Sequence, residues 1–288
     1  MKRTARSSLR WAFSPESIRL QPVPLPRFQL FEFNDSPWAP AALKEALIES
    51  LSRALDWGRM LQGLTAPFGR FLEETGAAEV LDLCAGAGGP AVVLAAALRR
   101  SGKTPPRFLL TDLQPHPEAW QALKTADPAA IDFVAGAVDA TAIPPALGAG
   151  RARMIVNALH HLPPALAGAV LRGACADGPG IFVAEGFERS PLRFFPIAPM
   201  GMVAMLANLV LTPRRRLQKL LLLPVSLLVA PWDGIVSTLR VYTETELREM
   251  VAPLGDAFTW SYGTYPFPLG GRGYWFAGVR AARERGGT

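Results

Sequence analysis

Two glycines in the segment 80–91 have the spacing of a nucleotide-binding turn. The segment is an apolar run, Val-Leu-Asp-Leu-Cys-Ala, followed directly by Gly86 and Gly88. Glycine lets the backbone turn sharply and approach a ligand closely, and the amides at the start of a following helix can donate hydrogen bonds to that ligand. Gly86, Gly88 and Ala91 also satisfy the G-x-G-x-x-G/A spacing of dinucleotide-binding folds. The segment therefore predicts a strand, a binding loop and a helix, with a nucleotide-like ligand.

Three later apolar runs each lead into polar residues that could contact the same ligand. The first of them leads into Asp112, about 25 residues after the glycines, roughly where dinucleotide-binding folds place the acid that binds the ribose hydroxyls. The next two lead into Asp139 and Asn157. Asp112 and Asp139 could each instead be an ordinary helix N-cap, because Asp is favoured at that position whatever the function.

In this order the elements resemble class I S-adenosylmethionine (SAM)-dependent methyltransferases that act on small molecules. Asp82, four residues before Gly86, resembles the acid of the family's Asp/Glu-x-Gly-x-Gly signature. The chain departs from that signature at Cys84, which stands where the first glycine usually is. The His-His-Leu segment at 160–162 resembles an element of many small-molecule methyltransferases. The resemblance covers residues 76–190.

The resemblance implies SAM as the cofactor. In the family the glycine loop faces the amino-acid end of SAM, the acid at the position of Asp112 binds the ribose hydroxyls, and the acid at the position of Asp139 accepts a hydrogen bond from the adenine amine. The full set of cofactor-binding residues that we predict is Asp82, Cys84, Ala85, Gly86, Gly88, Asp112, Leu113, Asp139, Ala140 and Asn157.

Methyl transfer limits which catalytic residues are needed. The reaction is an in-line displacement at the sulfonium methyl, so a general base is required only where the acceptor loses a proton. We expect His161 to be that base, because an unperturbed imidazole titrates at about pH 6.5. His160 is adjacent and cannot face the same way on a regular helix or strand, so one of the two is expected to be structural. The catalytic candidates are His161, His160, Glu185, Asp233 and Tyr242.

These residues require a parallel sheet whose carboxyl ends meet at one edge. We predict an α/β fold, a Rossmann-like, seven-stranded methyltransferase sheet with helices on both faces, an N-terminal helical extension and a helical lid inserted after the fifth strand. The predicted regions are an N-terminal arm and helical cover (1–75), a SAM-binding core (76–190), an apolar helical lid (191–235), and a C-terminal helix with an antiparallel strand pair (236–288).

Local patterns predict the elements on either side of the core. Prolines make residues 15–40 an extended, irregular arm, and leucines at every fourth position over 41–59 predict an amphipathic helix. Three aromatic residues of the arm could line a cover over the substrate or pack in the core; they are Phe31, Phe33 and Trp38. Near the C-terminus, a capping-box pattern predicts a helix at 243–254, followed by strands at 257–262 and 273–279.

The segment 194–232 distinguishes this chain. Residues 194–211 hold no charged side chain, 212–219 are basic and 220–232 are again apolar. A transmembrane hairpin is disfavoured, because the first stretch barely reaches the roughly 18–20 residues needed and the second is too short. A hairpin would also carry the arginines away from the cytoplasm, against the positive-inside tendency. We expect a helical lid over the active site, or alternatively an interfacial helix pair on anionic lipid. Both imply an apolar acceptor.

Composition limits the class of protein and its partners. The chain has 288 residues, half of them apolar, which is enough for one elaborated domain. Cys84 and Cys175 provide neither a metal-ligand spacing nor a disulfide framework, so no metal and a reducing cytoplasm are expected. The net charge is +6, but its basic clusters, at the N-terminus and at 214–219, lack interleaved aromatic residues, so no nucleic-acid partner is expected. We expect a cytoplasmic protein, with peripheral membrane contact as the alternative.

The sequence therefore favours methyl transfer from SAM to a small, largely apolar acceptor such as a natural product, a quinone or a lipid-like molecule. The alternative is a non-catalytic, SAM- or lipid-binding regulatory or assembly protein with the same fold. An RNA cytosine methyltransferase would need a second catalytic cysteine, for which Cys175 has no suitable context. An amino-methylating nucleic-acid enzyme would have Asn/Asp-Pro-Pro-Tyr after the fourth strand. An NAD-dependent oxidoreductase would leave Asp82 and Asp139 unexplained.

Overall fold

The computed structural model describes residues 25–212 and 214–281, and one seven-stranded sheet runs through it. The strands are β1 (Glu79–Asp82), β2 (Arg107–Leu110), β3 (Ile131–Phe133), β4 (Ala152–Val156), β5 (Gly180–Glu185), β6 (Phe258–Phe267) and β7 (Gly271–Arg280). Their order in the sheet is β3-β2-β1-β4-β5-β7-β6. The first five strands are parallel, and β7 runs antiparallel to both β5 and β6. The predicted sheet is confirmed.

Ten helices surround this sheet in the part of the chain that the structure describes. They are α1 (Ala41–Trp57), α2 (Thr65–Thr75), α3 (Gly89–Arg100), α4 (Pro117–Ala126), α5 (Pro145–Gly148), α6 (Pro164–Ala176), α7 (Pro191–Phe194), α8 (Ala198–Leu211), α9 (Arg216–Arg240) and α10 (Glu244–Val251). On one face of the sheet, the phenylalanine rings of α2 pack against Phe182 of β5. On the other face, apolar residues of α6 and α10 complete a second core. The sheet is therefore covered on both faces, which a parallel sheet requires.

The chain reverses its direction of winding between β1 and β4. From β1 it proceeds to β2 and β3 at one side of the sheet, and from β4 it proceeds to β5 at the other side. Ligands of open α/β sheets bind at the carboxyl ends of the strands beside such a switch point. The glycine loop follows β1 and Asn157 follows β4, so both lie at this position.

Most predicted elements occur within a few residues of their expected bounds. Residues 25–40 form no regular helix or strand, as predicted for the arm, while the N-terminal basic residues and 15–24 lie outside the described residues. The helix predicted over 41–59 is α1. Thr243 accepts from the backbone N–H of Glu246, whose side chain accepts in return from the backbone of Thr243, and this capping box begins α10. The last two strands are longer than predicted, because a short turn at 268–270 joins them.

The inserted segment departs from its prediction in one respect. The second apolar stretch is part of one helix of 25 residues, α9, which continues through Pro224 and Pro231. This helix also crosses the predicted boundary between the lid, which was expected to end at residue 235, and the C-terminal region. By length and composition alone, α9 is the one helix of the described residues that could span a membrane, with a mean hydropathy of 1.8. The prediction that this stretch is too short was wrong, because Asp233 belongs to the buried face of the helix, which continues past it to Arg240.

Candidate functional site

The loop between β1 and α3 leaves open space over one glycine and closes tightly around the other. Both Gly86 and Gly88 have positive φ angles, 53° and 82°. A Cβ on Gly88 would lie 2.7 Å from Leu123 Cδ1 and 2.9 Å from Leu110 Cδ1. A Cβ on Gly86 would meet no atom within 4 Å. Gly88 is therefore needed for packing, and Gly86 leaves the room for a ligand.

Two side chains from neighbouring elements fix this loop. Asp112, just after β2, accepts hydrogen bonds from the backbone N–H of Gly86 and of Gln114, each at 2.9 Å. Trp120 of α4 is fully buried, and its Nε1 donates to the carbonyl oxygen of Gly86 at 2.8 Å. Sequence analysis identified Asp112 but missed Trp120. An isolated tryptophan in a helix carries no motif that separates this contact from core packing.

Two buried polar atoms beside the loop have no hydrogen-bond partner among the described residues. One is Oδ2 of Asp82 and the other is Nδ2 of Asn157. Burial, together with the nearby Asp112 carboxylate, raises the pKa of Asp82 well above its ordinary value. Oδ1 of Asn157 accepts from the backbone N–H of Gly186 at 2.6 Å, which fixes the orientation of the amide. A ligand bearing an ammonium group and a carboxylate would satisfy both free atoms, since an unpaired buried polar group is costly.

The loop after β3 is close to the same edge but more exposed. The backbone N–H of Val138 donates to the carbonyl oxygen of Asp112 at 2.9 Å. The Asp139 carboxylate is exposed and accepts from the backbone N–H and the hydroxyl of Thr141, which lowers its pKa. Ala140 is half-buried and Leu113 is 62% exposed. Their predicted contacts with an adenosine moiety stay predictions.

Cys84 lies at the start of the loop with a φ angle of 58°. Burial and the nearby carboxylates, that of Asp112 first, raise the pKa of its thiol to about 12. The thiol is therefore neutral at physiological pH, and only a thiolate is a strong nucleophile. Burial likewise raises the pKa of Cys175 to about 12. Neither cysteine has the environment of a catalytic nucleophile.

A cavity, partly open to solvent, begins at Asn157 and extends under the inserted helices. Its apolar walls include Leu47 of α1, Phe187 after β5, Met202 of α8 and Ala230 of α9. A mostly apolar lining with a few polar groups is typical of small-molecule sites. Eight polar side chains also line it; they are Glu32, Asn34, Ser50, Asn157, His160, His161, Asp233 and Ser237.

His160 is held by a buried carboxylate. Its Nδ1 lies 2.8 Å from Oε2 of Glu185, and its backbone N–H donates to Oε1 of the same residue at 3.1 Å. Glu185 ends β5 and has no exposed surface. A carboxylate on Nδ1 fixes the ring and leaves Nε2 as the nitrogen that can take a proton. His160 and Glu185 thus form a dyad at the cavity wall.

His161 belongs to a second ionic network on the same wall. Its Nδ1 lies 2.9 Å from Oδ1 of Asp35 and 3.4 Å from Oε2 of Glu32. Arg240 joins the network, 2.6 Å from Oδ2 of Asp35 and 3.2 Å from Oε1 of Glu32. Burial raises the pKa of Glu32 to about 7, although His161 and Arg240 lower it. Burial also raises the pKa of Asp35, but the interactions with His161 and Arg240 outweigh it and bring the value to about 2.

The two histidines line the cavity together. They lie in a short 3₁₀ turn, and their ring centroids are 4.1 Å apart. The expectation that one of them is structural stays a prediction, but the expectation that they cannot face the same way was wrong, because both residues border the cavity. The regular helix or strand on which that expectation rested is absent from this segment.

One group of potential metal ligands occurs here among the described residues. Glu32, His160 and His161 each place a ligand atom within 4.8 Å of the others. Nδ1 of His160 already faces Glu185, and Nδ1 of His161 already faces Asp35. The guanidinium of Arg240 already provides positive charge beside Glu32. We interpret the three residues as parts of the dyad and of the ionic network described above.

Two further catalytic candidates have other roles. Tyr242 is buried, its hydroxyl donates to the carbonyl oxygen of Leu162 at 2.5 Å, and it does not line the cavity. Its assignment as a catalytic candidate was wrong, because the hydroxyl faces the backbone. Asp233 does line the cavity, but its two oxygens accept from the backbone N–H groups of Phe33 and Asn34 at 2.9 and 3.0 Å. It anchors the arm to α9.

The arm contributes residues that sequence analysis did not identify. Arg27 donates to the carbonyl oxygens of His160 and Leu162 at 3.0 Å each, and its guanidinium lies 4.3 Å above the ring of Tyr242. Glu32 lies at the cavity itself. A signal existed, since acidic residues interrupt an otherwise apolar and aromatic stretch at 28–38. Three aromatic residues could line a cover over the substrate or pack in the core; they are Phe31, Phe33 and Trp38. In the structure they contact one another and do not line the cavity.

Some solved methyltransferase structures are similar to this chain, each at a TM-score below 0.5. No family profile and no curated protein matches the chain. Among solved structures it is similar to an O-methyltransferase from Nostoc punctiforme, with 15% identity over 87% of this chain and 63% of that chain, at a TM-score of 0.49. It is also similar to the O-methyltransferase of neocarzinostatin biosynthesis, solved with S-adenosylhomocysteine and 1,4-dihydroxy-2-naphthoic acid, with 16% identity over 84% of this chain and 59% of that chain, at a TM-score of 0.49.

A third similar structure is magnesium protoporphyrin IX methyltransferase from Synechocystis with bound S-adenosylhomocysteine. Its identity is 13% over 77% of this chain and 84% of that chain, and the TM-score is 0.46. The chain spans less than two thirds of both O-methyltransferases above. Strand order, the antiparallel β7 and the glycine loop after β1 assign the chain to the class I methyltransferase fold.

Proposed function

We propose that the protein is a SAM-dependent methyltransferase acting on a small, largely apolar acceptor such as a natural product, a quinone or a lipid-like molecule. One observation carries the proposal. The open glycine loop and the unpartnered Asp82 and Asn157 atoms lie at the switch point of the sheet, and the apolar cavity begins at Asn157. A cofactor site and an acceptor site therefore adjoin each other.

The residues at the cofactor end fit SAM by charge. Asp82 would accept from its ammonium group, the Asn157 amide would donate to its carboxylate, and Asp112 would accept from its ribose hydroxyls. Asp139 and its neighbours would face the adenine. SAM supplies an electrophilic methyl group when bound. The chain's own contribution there is to hold the cofactor at the mouth of the cavity, because orientation lowers much of the barrier to a displacement reaction.

The residues at the acceptor end orient the acceptor and hold its proton. We assign the general base to Nε2 of His160, with Glu185 as the positioning residue, because two contacts fix this pair. Sequence analysis favoured His161, whose ring instead faces a network of fixed charges. The apolar walls exclude water, and α8 and α9 act as a lid over the acceptor.

Calorimetry with SAM, S-adenosylhomocysteine and NAD tests the cofactor. We expect binding of the first two and none of NAD; a micromolar NAD site without SAM binding would overturn the proposal. Purified protein is then incubated with methyl-labelled SAM and a lipophilic extract, and transfer of label into an extractable product is measured. SAM binding without transfer to any acceptor would support the non-catalytic alternative.

A further inference from the structure

The outer face of α9 carries an apolar stripe that nothing in the described chain covers. Five residues form it at spacings of four, four, three and four positions, which places them on one side of a helix. They are Leu217, Leu221, Val225, Leu228 and Trp232. Leu221 is 71% and Leu228 is 77% exposed. Only 22% of the most apolar window of this helix is buried.

The neighbouring helix α8 extends this apolar face. Val203, Leu206 and Val210 follow one another at helical spacing and are exposed. The opposite sides of both helices pack against α1, where Met205 and Val229 meet Leu43 and Leu47 in one cluster. The core therefore needs only the inner faces. Monomeric soluble proteins seldom expose contiguous apolar patches above a few hundred Å², so the outer face has a partner.

Positive charge lies at one end of this face. Arg214, Arg215 and Arg216 form the turn between α8 and α9, and each is exposed. The bridge from Arg214 to Glu118 joins two exposed side chains, 63% and 83%, so solvent screens it. Arg215 also contacts Glu45. The arginine side chains of this turn can therefore exchange their salt bridges with glutamates for contacts with anionic groups.

Aromatic side chains lie near the other end. Trp232 donates from Nε1 to the carbonyl oxygen of Phe31 at 3.0 Å, and the Phe31 ring stacks on Trp38 with centroids 5.5 Å apart. Trp38 is 67% exposed. Exposed tryptophan beside an apolar face is typical of proteins that contact the interfacial region of a bilayer.

We propose that the outer faces of α8 and α9 rest on the surface of an anionic lipid bilayer, with the arginine turn among the headgroups. The pair lies in the interface and does not span it. Helix α8 has 14 residues, fewer than the roughly 20 needed to cross. The last two turns of α9 are bound to the arm through Asp233 and Arg240, which keeps that end in the protein.

The lining of the cavity includes residues that lie next to this surface. Two of its lining residues, Leu51 of α1 and Met202 of α8, are partly exposed, and Met202 lies one turn before Leu206 of the apolar face. A lipophilic acceptor dissolved in the bilayer could enter between them. This route rests on the proposed function, whereas the docking surface does not.

Co-sedimentation with vesicles tests the docking surface on the full-length protein. One set of vesicles is phosphatidylcholine alone and the other is an equal mixture with phosphatidylglycerol. We expect binding to the mixture, release at high salt as the headgroup attraction is screened, and much weaker binding to phosphatidylcholine. Leu221→Glu and Leu228→Glu should each weaken binding more than about tenfold. Each change removes a leucine that the bilayer would bury and adds a carboxylate that the anionic headgroups repel. Leu269→Glu, in the exposed β6–β7 turn, is the matched control and should bind normally.

Thermal unfolding of every variant shows whether it is folded, so a loss of binding is not confused with misfolding. No vesicle binding by the folded wild-type protein would overturn the proposal. A concentration-dependent dimer that Leu221→Glu dissociates would assign the face to a second copy, and extraction only by detergent would assign it to an integral segment. Neither outcome changes SAM binding, so failure of this proposal is distinguishable from failure of the proposed methyltransferase activity.

Discussion

The two ends of the site are built in different ways. The cofactor end comes from strand-and-loop units of the parallel sheet from β1 to β4, in which Asp112 reaches Gly86 from 26 positions away. The acceptor end joins three distant segments, and Arg240 contacts Asp35 across 205 positions. Local motifs therefore describe the first, whereas long-range packing creates the second. The difference predicts which substitutions affect cofactor binding, which affect turnover and which affect folding.

The largest expected effect separates the two ends by kinetics. His160→Ala should lower turnover by about 10²–10⁴-fold, the usual contribution of a general base, with the affinity for SAM nearly unchanged. Glu185→Gln keeps the shape of the dyad and should shift the pH profile of turnover. Steady-state rates and SAM titrations measure both. If His161→Ala is the damaging change and His160→Ala is not, the base is His161.

Breaking the acceptor-side network should cost folding free energy. Arg240→Met leaves the buried Glu32 carboxyl and the exposed Asp35 carboxylate without their cation, and losing the partner of a buried group costs about 3–5 kcal/mol. Arg99→Met is the matched control, because Arg99 bridges Asp127 at the surface and such exposed pairs contribute little. Urea unfolding measures both variants. Equal losses would show that the network is solvated.

Glu32 makes stability depend on pH. Its pKa of about 7 in the folded protein exceeds the ordinary value of 4.5, because burial disfavours its charge. The groups that face it are His161, Arg240, Asp35 and Asp233. A raised acid pKa stabilises the folded state fully below the unfolded pKa, and this contribution is lost as pH rises through the folded pKa.

Wild-type protein should therefore lose about 3 kcal/mol more than Glu32→Gln between pH 4.5 and pH 7, the equivalent of the pKa shift. Urea unfolding over this range, for both proteins, gives the difference directly and cancels the other titrating groups. Parallel curves would show that Glu32 ionises normally, and the buried network would then need revision.

The same contrast explains what the sequence could predict. The individual strands and the glycine loop follow from apolar runs and turn residues that act over a few positions, and the seven-stranded sheet follows from the family resemblance. Glu32 and Arg27 were missed because their partners lie far along the chain. Tyr242 was misassigned for a related reason, since its position after the inserted helix indicated proximity to the acceptor but not the direction of its hydroxyl. The length of α9 was missed because Asp233, a polar residue, is buried against the arm.

The smallest expected effect tests the cofactor end alone. Asp112→Ala removes the acceptor for ribose hydroxyls and should weaken SAM binding by about 1.5–3 kcal/mol, the range for hydrogen bonds to a charged group. It also frees the Gly86 N–H, so Asp112→Asn, which keeps an acceptor oxygen there, should retain part of the affinity. Asp256→Ala, at an exposed carboxylate in the turn before β6, is the control. Calorimetry measures all three variants. An unchanged affinity in Asp112→Ala would remove this residue from the site. A loss of SAM affinity with vesicle binding intact would show that cofactor binding is independent of the docking surface.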